Sequence, residues 1–89
     1  MFNQETYDLL EAEFEKNHLE EDVEEVLLDL SEALADQGIM DKEVSLKESY
    51  GKTVVEAVGI CSEEEEEVVV LIKRVKIGKK EFEIEDYFL

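Results

Sequence analysis

The chain has 89 residues, 26 of them Asp or Glu and 9 Lys or Arg, for a formal net charge of −17. That balance excludes a nucleic-acid binder working through a basic surface, and it disfavours attachment to anionic lipids. One domain over residues 1–89 is expected, with a thin core, because folding at this size removes only roughly 60 to 65% of the unfolded chain's surface. At 44% hydrophobic residues, the chain still carries too much apolar surface for a disordered acidic tail.

The elements divide near Gly38 into a helical half, residues 1–42, and a sheet half, residues 43–89. Tyr7, Leu10 and Phe14 at i, i+3, i+7 predict a first helix ending near Asn17, with Asn3 as N-cap and Glu5 in the first turn. A second helix is expected to open around Glu20, Glu21 or Asp22 and to run to about Gln37. Val23, Val26, Leu27, Leu30 and Leu34 form its core-facing stripe, and Gly38 its left-handed stop.

Beyond Gly38, alternation and β-branched residues predict strands at 43–49, 53–61, 67–77 and 80–87. Gly51-Lys52 and Gly78-Lys79 read as two-residue type II′ loops, which need a left-handed first residue. The second loop then sets Lys76 against Glu81, Val75 against Phe82 and Arg74 against Glu83, and the first sets Lys47 against Glu56 and Leu46 against Ala57. Residues 68–72 are apolar on both faces, which places the middle two strands in the sheet interior. The expected fold is α+β, with two N-terminal helices packed on one face of a four-stranded antiparallel meander.

The same run of five is the longest aliphatic stretch, far short of the roughly 20 residues that span a bilayer. The first eight residues carry two acids and no base, unlike a secretory signal, and the single Cys61 suits a reducing compartment. A cytoplasmic protein is expected.

Charge is unevenly held. Residues 1–42 contain 14 acids and 2 lysines, whereas residues 43–89 contain 12 acids and 7 bases. On the second helix Glu21, Glu25, Asp29, Glu32 and Asp36 fall in one stripe about 80° wide, centred about 150° from the apolar stripe. Asp8, Glu11 and Glu15 repeat the arrangement on the first helix. Four like-charged neighbour pairs on the second helix destabilise it by about 1 to 2 kcal/mol in total before screening. Interspersed lysines would have reversed the sign, and there are none.

Leu28 sits inside the acidic stripe and Leu9 points away from the first helix's core face; each reads as an apolar anchor within a polar interface or as a scattered surface leucine. Residues Glu63, Glu64, Glu65, Glu66 and Glu67 are expected to form a long acidic hairpin loop, or a loop plus the frayed start of the third strand. They lack the alternating ligands and central glycine of a calcium loop. Bases between residues 73 and 80 resemble a nucleic-acid ribbon until the hairpin register sets Arg74 and Lys76 against glutamates.

Enzymatic constellations are missing from the sequence. His18, the only histidine, falls in the helix break, Cys61 ends an apolar strand, and no phosphate-cradling glycine loop or Cys/His metal spacing occurs. The expected function is therefore non-enzymatic, without cofactor or metal: a phosphate mimic whose acidic helices dock in the basic DNA- or RNA-binding channel of a partner. A nuclease is the natural partner, and a phage-encoded inhibitor of host defence, of the anti-CRISPR or anti-restriction type, has this physical character. The alternative is a structural or interaction module, a monomer or weak homodimer, pairing through a C-terminal strand that ends in Tyr87, Phe88 and Leu89.

Overall fold

A computed structural model describes residues 4–88 of the chain. Helices α1 (Gln4–Lys16) and α2 (Val23–Asp36) precede strands β1 (Glu43–Tyr50), β2 (Thr53–Glu64), β3 (Glu67–Ile77) and β4 (Lys80–Phe88). The strands form one antiparallel sheet in the order β1-β2-β3-β4, with α2 across β1, β2 and β3 and α1 against α2. The expected cap at Asn3 and the terminal Leu89 lie outside the described residues.

Both helices end through a left-handed residue. After α1, His18 takes φ +60°, the Leu19 N–H donates to the Phe14 carbonyl at 2.9 Å and the His18 N–H to that of Glu15 at 3.1 Å. That pair of bonds is a Schellman stop built without glycine. Gly38, at φ +70°, ends α2 as expected. The second helix starts later than the earliest expectation: Asp22 is its N-cap, its carboxylate accepting from the Glu24 N–H at 3.0 Å. Glu21 therefore stands ahead of the cap, outside the helix.

Leu10 and Phe14 of α1 and the five apolar residues of the α2 stripe bury against one face of the sheet, where Val55, Ala57, Ile72, Val75 and Ile77 point inward. Both glycine hairpins hold the expected register, including Lys47 opposite Glu56 and Lys76 opposite Glu81. Gly51 and Gly78 have φ of +63° and +61°. In the middle of the sheet the register slips between Val58 and Gly59 of β2, so Lys73 bulges, and β4 answers with a second irregularity where Glu85 takes φ +51°. Gly59 sits at this crossing because a Cβ there would lie 2.5 Å from the Leu71 carbonyl oxygen.

The β2–β3 connection differs from the expected long loop. Both strands extend to the tip, Glu63 and Glu64 in β2 and Glu67 in β3, leaving a two-residue turn of Glu65 and Glu66 with φ of +50° and +69°. Two left-handed central residues define a type I′ turn, whose usual residues are Asn and Gly. Strand pairing up to the tip prevails over the local preference of glutamate, and it sets Glu64 directly opposite Glu67.

Candidate partner-binding surface

On α2, the 100° spacing puts Glu25, Asp29, Glu32 and Asp36 on the side away from the core, and all four are exposed. Leu28 lies among them, 40% exposed. None of the four makes an ion pair among the described residues, where ion pairs involve Glu13, Glu43, Glu56 and Glu81. Of the sheet's bases, Lys47, Lys73 and Arg74 pair within the sheet and Lys80 with α1. Arg74 donates to Glu43 at 2.7 Å, Lys73 approaches the same carboxylate at 3.8 Å, and Lys80 reaches Glu13 at 4.0 Å. Of the bases between residues 73 and 80, Lys73, Arg74 and Lys80 are answered by acids, Arg74 by Glu43 and Glu81 and not by Glu83, whereas Lys76 and Lys79 make no ion pair among the described residues.

The fold joins groups that the sequence listed separately. A shallow depression of about 270 Å³ is lined by Ser31, Glu32, Ala35 and Asp36 of α2 and by Val68 and Val70 of β3. Val68 pairs with Glu63, so the acidic hairpin rises beside the C-terminal end of the α2 row. At the other end of α2, Glu11 and Glu15 of α1 line a crevice of about 320 Å³ together with Glu20, Glu21 and Asp22. Glu21, although outside the helix, thereby belongs to the same acidic region. Asp8 is exposed nearer the start of α1 and accepts from the Gln4 amide at 2.9 Å.

The negative field reaches neighbouring phenols. Partial burial first, then the charges of Glu48, Asp29 and Glu21, push the Tyr50 hydroxyl above its ordinary pKa of 10.0. Burial, followed by Asp22 and Glu11, does the same to Tyr7, whose hydroxyl donates to Asp22 at 3.3 Å. Glu20 and Asp22 carried no periodic signal in the sequence, since they sit in the break between helices. Glu13 was equally hidden: its carboxylate turns to the core side of α1 and accepts from the Asn17 amide at 3.0 Å.

At the C-terminus the large side chains divide. Phe88 is buried in the core, whereas Tyr87 is 61% exposed on the face opposite the helices. Leu9 is 58% exposed on α1. Among the described residues no group of three or more His, Cys, Asp or Glu is placed to hold a metal ion, and no helix is long and apolar enough to cross a membrane. Compared with known proteins, the chain matches no family model, no curated protein and no solved structure.

Proposed function

We propose that the chain is a non-enzymatic phosphate mimic, whose acidic helical side occupies the basic nucleic-acid channel of another protein and blocks it. One observation carries the reading: the α2 row of Glu25, Asp29, Glu32 and Asp36 is exposed, consecutive and without ion pairs among the described residues, while the bases stand elsewhere. A surface serving solubility alone gains nothing from this segregation, because interspersed lysines keep a helix soluble and stabilise it.

Spacing decides how much of the surface is needed. Eleven residues separate Glu25 from Asp36, about 16 Å of helix, or one carboxylate per about 5.5 Å. A single nucleic-acid strand presents one phosphate per about 3.4 Å of axis. The row alone is therefore sparser than its model. The hairpin glutamates 63–67 at one end and the crevice of Glu11, Glu15, Glu20 and Glu21 at the other raise the density and lengthen the track. Leu28 supplies an apolar contact within it.

A defence nuclease of the CRISPR or restriction type is the partner class whose channel this surface suits, and a phage-encoded inhibitor acting in the host cytoplasm is the corresponding setting. The test is salt-sensitive binding to a basic, nucleic-acid-binding protein by the wild-type chain and by a Glu25→Lys/Asp29→Lys/Glu32→Lys variant. Binding that survives the triple reversal overturns the reading.

A further inference from the structure

The sheet has two edges, and they differ. Along β4, Glu81, Glu83 and Glu85 share the outer face and Glu85 is kinked at φ +51°, features that keep a second strand from adding. β1 carries charges too, Glu43 and Lys47 on the outer face and Glu48 on the helix side, but they are of both signs, and its eight residues pair with β2 without a bulge and contain no proline.

In a hairpin with a two-residue loop, the residues flanking the loop exchange both backbone hydrogen bonds, and bonded and non-bonded pairs then alternate. Tyr50 and Thr53 flank Gly51-Lys52. The even residues of β1 thus bond to β2, and the N–H and C=O groups of Glu43, Ser45, Lys47 and Ser49 point outward. Among the described residues these outward groups meet one side chain, the Gln37 amide, which donates to the Ser45 carbonyl at 3.3 Å.

We infer that β1 is a self-complementary edge, and that two copies of the chain pair through it, antiparallel, with Ser45 opposite Ser45 of the second copy. This register matches outward backbone groups with outward backbone groups. On the face away from the helices it sets Glu43 against Lys47 of the second copy, twice by symmetry; on the helix face it sets Val44 against Leu46, each only half-buried in the monomer. Moving the register by two residues in one direction sets Lys47 against Ser45, and by four sets Lys47 against Lys47, so charge selects the first. The two-fold axis is perpendicular to the sheet, so the resulting eight-stranded sheet carries both α2 rows on one side.

Two chains of −17 repel one another, and the contact is short, below the roughly 1,200 Å² of a standard interface. Pairing is consequently weak, and it strengthens as salt screens the net charge. The inference does not depend on phosphate mimicry.

Sedimentation equilibrium of the full chain in about 0.5 M NaCl, where the screening length is about 4 Å, provides the test. Wild type forms a dimer with rising concentration, and the amide exchange of Ser45 and Lys47 slows in parallel. Lys47→Glu and Glu43→Lys each weaken the dimer about tenfold. An equimolar mixture of the two variants restores it, because both facing pairs again have opposite signs. Glu43→Lys also removes the partner of Arg74, so the exchange measurement on the wild-type chain stands independently of that variant's folding. A monomer at every concentration, a dimer indifferent to both reversals, or a dimer that leaves Ser45 and Lys47 exchange unchanged overturns the inference.

Discussion

Replacing Glu65-Glu66 by Asn-Gly should stabilise the protein. Both glutamates hold left-handed backbone, at φ +50° and +69°, a conformation that costs an L-residue roughly 1 to 2 kcal/mol. Asn and Gly adopt it readily, although Gly returns about 0.5 to 1 kcal/mol as extra freedom of the unfolded chain. Removing two charges beside the like-charged pair Glu64 and Glu67 adds a few tenths of a kcal/mol. Over the two residues the net is about 1 to 3 kcal/mol, or a Tm rise of roughly 5 to 20 °C for a domain of this size. Urea denaturation checks it: the midpoint rises while the slope stays constant, because the surface exposed on unfolding is nearly unchanged. An unaltered or lowered midpoint refutes the assignment of a strained type I′ turn. If the hairpin belongs to the partner surface, the same variant binds the basic partner less tightly, gaining stability as it loses function.

Gly59→Ala should destabilise by about 2 kcal/mol or more, since the added Cβ meets the Leu71 carbonyl oxygen at 2.5 Å and backbone must move; a thermal midpoint within a degree of wild type contradicts the close approach. Asp86 turns to the helix side of β4 with its Oδ2 buried and without a hydrogen-bond partner, so Asp86→Val should raise stability by about 1 kcal/mol, and a lower urea midpoint shows that the carboxylate contributes to the fold. Burial pushes the Cys61 thiol above its ordinary pKa of 9.0. The folded state therefore keeps its proton longer than the unfolded state, and this contribution is complete below about pH 9 and is lost as pH rises further. Stability between pH 9 and 10.5 should fall less steeply in Cys61→Ala than in wild type, and equal slopes contradict the assignment.

The sequence exposed those elements whose side-chain period is enforced by burial. The stripe from Val23 to Leu34 and the alternation opposite it had to follow the core, and the Gly-Lys loops carried the one residue that a left-handed turn demands, so the register of two hairpins was readable. The third hairpin was not, because Glu65 and Glu66 hold their turn against preference, under the pull of strands that pair up to its tip. Bulges at Lys73 and Glu85 leave no mark in composition; Gly59 was the only trace, and it is equally at home in an ordinary strand. Of the acidic surface, the α2 row followed from helical angle. The meeting of Asp36 with Val68 and of Glu11 with Glu21 depended on how α1 and the β2–β3 hairpin dock against α2, which no local pattern records.

One measurement bears most directly on phosphate mimicry. Immobilised wild-type chain and the Glu25→Lys/Asp29→Lys/Glu32→Lys variant are exposed in parallel to a low-salt host lysate, then challenged first with duplex DNA or RNA and next with a salt step. Reversal exchanges carboxylate for ammonium repulsion between positions 25 and 29 and between 29 and 32, and makes only position 32 attractive to Asp36, so the variant's helicity and thermal midpoint are measured in parallel, which separates lost binding from lost folding. Wild type should retain a nucleic-acid-binding protein that added nucleic acid displaces and salt elutes, and the variant should retain none. Retention of the same protein by both chains, or retention that nucleic acid does not displace, contradicts phosphate mimicry.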